Sequence, residues 1–172
     1  SIRQIHFPTA PELLHRARKR LKFEEFFYLQ LRLLMLKVTR TEKSHGQILG
    51  STELLTDFYK NHIPFELTNA QKRVIREAFT DMKSGKQMNR LIQGDVGSGK
   101  TMVAFICILI AISSGAQACL MAPTEILANQ HHEGLKEYAD LMGLNIALLT
   151  GSTKKSSRKV IHEMLLSGEL HI

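Results

Sequence analysis

Residues 94–101 read Gly94-Asp95-Val96-Gly97-Ser98-Gly99-Lys100-Thr101, and the fold is decided by how this octapeptide is understood. It fits G-x-x-x-x-G-K-[ST], a loop whose glycines let successive backbone N–H groups turn inward and cradle phosphate oxygens. Lys100 can reach the β- and γ-phosphates, and the Thr101 hydroxyl can ligate Mg²⁺. The positive end of a following helix adds to the same point. A nucleotide and Mg²⁺ are therefore the expected ligands. Gly94, Asp95, Val96, Gly97, Ser98, Gly99, Lys100 and Thr101 are the expected cradle, with Lys100 and Thr101 also taking the catalytic roles and Thr101 the metal.

The flanks agree with that reading. Arg90-Leu91-Ile92-Gln93 is a short strand-like run, and Met102 to Ser114 is a dense apolar segment of helix length. Strand, glycine loop and helix in that order form the setting the motif requires. Downstream the pattern alternates. Ala118 to Met121 reads as a buried strand, Ile126 to Met142 as a helix ended by Gly143. Ile146 to Leu149 reads as a second buried strand, Lys154 to Leu166 as a helix ended by Gly168. Short apolar strands alternating with helices predict an α/β fold, a parallel sheet covered by helices on both faces.

Upstream the chain reads as helical. Thr9-x-x-Glu12 has the form of a capping box with Pro11 in the first turn, and apolar residues recur at helical spacing from Glu12 to about Lys37. Across residues 28–38 almost every position is apolar (YLQLRLLMLKV), so that half is expected to be covered on several sides. Thr39 to Ser51 reads as a polar loop, Glu53 to Tyr59 as a short helix, and Thr68 to Lys83 as an amphipathic helix closed by Gly85. The boundary falls near Pro64, with an α-helical linker at 1–63 and a nucleotide-binding lobe at 64–172.

Composition narrows the partners. The 172 residues are 44% hydrophobic and 23% charged, with a net charge of +7. Residues 1–63 hold eleven Lys/Arg against six Asp/Glu, whereas 64–172 hold twelve against ten. A basic surplus suits an anionic polymer such as nucleic acid, and equally a soluble protein of basic isoelectric point. The run Arg16-x-Arg18-Lys19-Arg20-x-Lys22 could touch phosphates or form a solvated helix face. Cys107 and Cys119 sit in apolar runs and read as buried free thiols without a disulfide framework. Met102 to Ile112 is too short to span a bilayer and no signal peptide is visible, so the expectation is a reducing cytoplasm and no membrane partner. The opening on Ser1 and the strand-like close at residues 168–172 suggest a piece of something longer.

A phosphate loop alone does not separate kinases, GTPases and motor ATPases. Ala122-Pro123-Thr124-Glu125-Ile126-Leu127-Ala128-Asn129-Gln130-His131 and Leu148-Leu149-Thr150-Gly151-Ser152 each follow an expected strand. They resemble motifs Ia and Ib of superfamily 2 helicases, which grip the nucleic-acid backbone. With PFELTNAQ at 64–71 and QMNRLIQ at 87–93, the resemblance narrows to the bacterial helicases of branched DNA. It runs from about Ile5 to Ile172 and is most specific between Pro64 and Ser152.

That resemblance implies the first RecA-like lobe of an ATP-dependent DNA helicase working on replication forks and Holliday junctions in recombination and repair. It implies DNA as partner, with Thr124, Gln130 and Thr150 facing backbone phosphates and Gly151 allowing close approach. Thr124 is also placed to cap a helix. Gln71 matches the glutamine that reads the adenine edge, while Thr68-x-x-Gln71 is itself a capping box. The family's acidic Walker B box and second motor lobe with its arginine finger would lie beyond Ile172, and its DNA-wedge domain before Ser1. The chain is thus expected to be the ATP-docking half-site, incompetent in hydrolysis alone. The translocase of transcription-repair coupling factors, which has a similar GDVG loop, is the alternative, and a non-catalytic nucleotide-binding module is a second.

Overall fold

The computed structural model describes residues 2–43 and 45–172. Among them run α1 (Ile2–His6), α2 (Pro11–Lys43), α3 (Glu53–Asn61), α4 (Asn69–Lys83), α5 (Lys100–Ser113), α6 (Glu125–Leu141) and α7 (Lys155–Ser167). They divide into two compact units, Ser1–His45 and Gly46–Ile172.

The larger unit is built around α5. Its sequence KTMVAFICILIAIS is apolar on every side, so it has no face for water and must be surrounded. Phe105, Ile106, Leu109 and Ile110 are fully buried. Phe58 of α3, Ile75 and Met82 of α4, and Leu135 and Ala139 of α6 close over them as one cluster. Phe58 meets Phe105 edge-on at 5.3 Å between ring centres and Tyr138 at 5.5 Å, a geometry that suits the ring quadrupoles. The C-terminal serines of α5 complete the joint with α3. Ser113 Oγ accepts from Leu54 N and Ser114 Oγ from Ser51 N, each at 3.1 Å. Thr52 itself supplies no side-chain cap to α3, so those N–H groups are satisfied from the neighbouring helix.

Helix boundaries follow the expected chemistry. Thr68 caps α4 and Thr124 caps α6 through their side chains. Gly143 follows α6 with φ 65 and Gly168 ends α7 with φ 82, backbone that a residue with a Cβ enters only at a cost.

The sheet differs from expectation. No strand is present among the described residues, and Arg90–Gln93, Ala118–Met121 and Ile146–Leu149 carry no regular secondary structure. What exists is one reciprocal pair. Ile172 N donates to Asn145 O at 3.1 Å and Ala147 N donates to Ile172 O at 3.0 Å, the pattern of a parallel pairing about Ile146. Ala118 N adds a single bond to His171 O. The 118–121 segment is not buried as the sequence leads one to expect: Met121 is 88% exposed, and Cys119 is exposed as well.

The smaller unit contains α1 and α2. Helix α2 begins at Pro11, so Ala10 rather than Thr9 takes the cap position and accepts the first helical bond from Leu14 N. The Thr9 hydroxyl turns instead to Gln4 Oε1, and the expected Thr9–Glu12 box does not form. Helix α2 also continues to Lys43, through what reads in the sequence as the start of a loop. Its apolar second half is not covered: Phe26, Met35 and Leu36 stand exposed. Within the unit, the five residues of α1 are the other helix available, too little to shield it. No helix among the described residues is long and apolar enough to cross a membrane.

Two expectations follow. Phe105→Ala should lower stability by about 3 to 5 kcal/mol, read as a drop in the urea midpoint. Burial pushes the Cys107 thiol up, leaving less thiolate, whereas Cys119 is exposed. A thiol reagent at about pH 8 should therefore label Cys119 on the folded protein and spare Cys107 until urea is added.

Candidate nucleotide site and nucleic-acid interface

Burial of α5 fixes the position of its first turn, and the glycine loop hangs from that turn. Gly99 takes the cap position in a left-handed conformation, φ 78 and ψ 25, and its carbonyl accepts from Val103 N at 3.1 Å. Ser98 N donates to Asp95 O at 3.2 Å, closing the loop into a turn with Val96 fully exposed at its tip. Space here is short. A Cβ on Gly94 would lie 2.8 Å from Ser98 Oγ, and one on Gly99 would collide with the amide nitrogen of Gln71.

Lys100 folds back over the loop. Its Nζ donates to Gly94 O at 2.9 Å and Asp95 O at 2.7 Å, and lies 3.4 Å from Ser98 Oγ. The ammonium is held over the loop by the loop's own carbonyls, which are neutral partners. The exposed Thr101 hydroxyl makes no hydrogen bond among the described residues and remains available to a metal ion. No cluster of His, Cys, Asp and Glu that could hold a metal is found among those residues.

Gln71 joins the cradle to α4. Its backbone N–H donates to Thr68 Oγ1 at 3.2 Å and its Oε1 accepts from Thr68 N at 2.8 Å, completing the capping box. The other end of the same amide, Nε2, donates to Ser98 O at 3.0 Å. One side chain thus caps a helix and props the phosphate loop.

Arg90, not among the residues singled out from the sequence, anchors the segment entering the loop. Its Nε and Nη2 donate to Asp81 Oδ2 at 2.9 and 2.7 Å, and Nη1 donates to Glu77 Oε2 at 2.6 Å. Hydrogen bonding to Asp81, ahead of the charges of Asp81 and Glu77, raises the guanidinium pKa further. The only signal was the spacing of Glu77 and Asp81, four apart on one face of α4.

The residues expected to face nucleic acid form a second group. Thr124 Oγ1 accepts from Leu127 N at 3.3 Å, so its oxygen serves as the helix cap. Thr150 is brought to the same place: its hydroxyl donates to Glu125 Oε1 at 3.3 Å. A Cβ on Gly151 would meet nothing within 4 Å, so open space surrounds it. Gln130 is exposed and makes no hydrogen bond to this group. Gln71 thus joins the cradle and Thr150 joins Glu125, the neighbour of Thr124, while no hydrogen bond links the two groups among the described residues.

Comparison with known proteins places the chain in a family. Residues 68–171 match the DEAD/DEAH box helicase family, and the chain belongs to that family. It is 46% identical over 170 residues to the ATP-dependent DNA helicase RecG of Synechocystis sp., covering 99% of this chain and 20% of the relative. It is 45% identical over 173 residues to RecG of Bacillus subtilis, covering 100% of this chain and 25% of the relative. The solved structure of RecG bound to a three-way DNA junction superposes with a TM-score of 0.86 at 43% identity, over 98% of this chain and 23% of that one. The chain therefore has the RecA-like helicase-lobe fold and spans a fifth to a quarter of the length of these relatives.

Gly99→Ala should weaken ADP binding and lower the melting temperature, through the left-handed strain of about 1 kcal/mol or more and the collision with Gln71. Adding Gln71→Ala to it should restore none of the lost nucleotide affinity, because the left-handed strain remains and the bond from Gln71 to Ser98 O goes as well. Calorimetric titration of the single and double variants with ADP is the check.

Proposed function

We propose that this chain is the ATP-docking half of a DNA helicase motor that works on branched DNA, such as forks and Holliday junctions, in recombination and repair in the cytoplasm. The observation that carries the reading is the loop at 94–101: a glycine cradle with left-handed backbone at Gly97 and Gly99, a lysine poised over it and a threonine hydroxyl without a hydrogen-bond partner among the described residues. Residues 64–172 would form the motor lobe, in keeping with the family match from residue 68, and 1–63 the helical linker. The parallel pairing at Ile146 and Ile172 supports a parallel sheet as the framework of that lobe.

With ATP bound, Gly94 to Ser98 would surround the phosphates with backbone N–H groups. Lys100 would leave the carbonyls of Gly94 and Asp95 for the β- and γ-phosphates. Thr101 would hold Mg²⁺, which neutralises charge on the phosphate oxygens. Gln71 would meet the adenine edge while its neighbour Thr68 keeps the start of α4 in place. Thr124, Gln130, Thr150 and Gly151 would follow the DNA backbone, reading position rather than sequence.

Lys100→Ala should weaken ADP binding by about 10- to 100-fold, the worth of a charged hydrogen-bonding partner. Equal affinity of variant and wild type would sink the assignment. Phosphate release by the 172-residue chain should stay at background with or without branched DNA, since an arginine finger alone is worth about 10³ to 10⁵ in rate. DNA binding should fall steeply with salt, each neutralised phosphate adding about 0.7 to 0.9 to the slope. Fork-stimulated turnover lost in Lys100→Ala would show that the chain completes its own site.

A further inference from the structure

Glu125 opens α6, directly after the capping Thr124. Its Oε1 accepts from the Thr150 hydroxyl at 3.3 Å and from the Ser152 hydroxyl, far along the chain. The 150–153 turn is braced behind this contact. Thr150 N donates to Thr153 Oγ1 at 2.8 Å, and Arg158 Nη2 of α7 donates to Thr150 O at 2.9 Å. Thr150 Oγ1 also lies 3.0 Å from Ser152 Oγ and 3.3 Å from Thr153 Oγ1.

Each hydroxyl has one proton to give. With those of Thr150 and Ser152 spent on Glu125, Thr153 can donate to Thr150 Oγ1, and every proton in the group has an acceptor. A carboxylate beside two loops read as DNA contacts is otherwise a liability, because it repels the polyanion. Its place is explained by the two hydroxyls it holds: among the described residues it is the side chain whose hydrogen bonds tie the start of α6 to the turn at 150–153.

We infer that Glu125 is a positioning residue for the DNA grip, clamping the loop of Thr124 and the loop of Thr150 and Gly151 into one rigid edge. The inference rests on reading those loops as DNA-backbone contacts. An amide oxygen can accept the same two hydroxyl protons, so the clamp requires the acceptor and not the charge.

The test is fork-DNA affinity by fluorescence anisotropy at fixed salt, with ADP affinity measured alongside. Glu125→Ala should bind DNA about tenfold more weakly, about 1.4 kcal/mol, with ADP affinity unchanged. Glu125→Gln should stay within about twofold of wild type, because its oxygen still accepts. Glu125→Ala combined with Thr150→Val should bind no more weakly than Thr150→Val alone, since that variant has already lost the clamp. Wild-type affinity in Glu125→Ala, additive losses in the double variant, or several-fold tighter DNA binding by Glu125→Gln would each overturn the inference, the last by showing that the carboxylate competes with phosphate. Should Thr150→Val and Gln130→Ala both leave DNA affinity intact, the reading of these loops as DNA contacts falls as well. Should they weaken it while Glu125→Ala does not, the role of Glu125 falls alone.

Discussion

Gly99 is where the phosphate loop becomes α5, and its left-handed turn lets one helix serve as both core and cradle. The body of α5 is buried on all sides by Phe58, Ile75, Leu135 and their neighbours. Its first turn is the wall on which Lys100 and Thr101 stand. Packing therefore sets the position of the site: a helix whose body cannot shift holds its N-terminal N–H groups where an anion can meet them. A loosened core would reach the nucleotide site without any change in the loop itself.

The loop is braced from outside as well. Gln71 links it to the cap of α4, and Arg90 pins the segment entering it to Asp81 and Glu77 of the same helix. Helix α4 thus contacts the loop at both ends, once through a neutral amide and once through a charged fork. Lys100 is the movable part. Its bonds to Gly94 O and Asp95 O use the loop's own backbone as temporary partners, which keeps the ammonium over the cradle at a cost that phosphate readily offsets.

Much of this was legible in the sequence, for local reasons. The octapeptide at 94–101 dictates its own turn, the caps at Thr68 and Thr124 need only neighbours three residues away, and an all-apolar 102–112 can only be buried. What could not be read were interactions between distant residues: Arg90 with Glu77 and Asp81, and Glu125 with Thr150 and Ser152. The expected strand at 118–121 belongs with these, since a short apolar run forms a ladder only where partner backbone lies beside it, and that partner is distant in the chain. At the opposite end, Pro11 moved the cap of α2 to Ala10, one residue past the threonine that the pattern favours.

The decisive measurement is a crystal structure of the chain with ADP and Mg²⁺. In it Lys100 Nζ is expected to have left the carbonyls of Gly94 and Asp95 for the β-phosphate, with the Thr101 hydroxyl on the metal and the backbone of 94–101 otherwise little changed. ADP bound away from this loop, or Lys100 still seated on its carbonyls with the nucleotide present, would contradict that expectation.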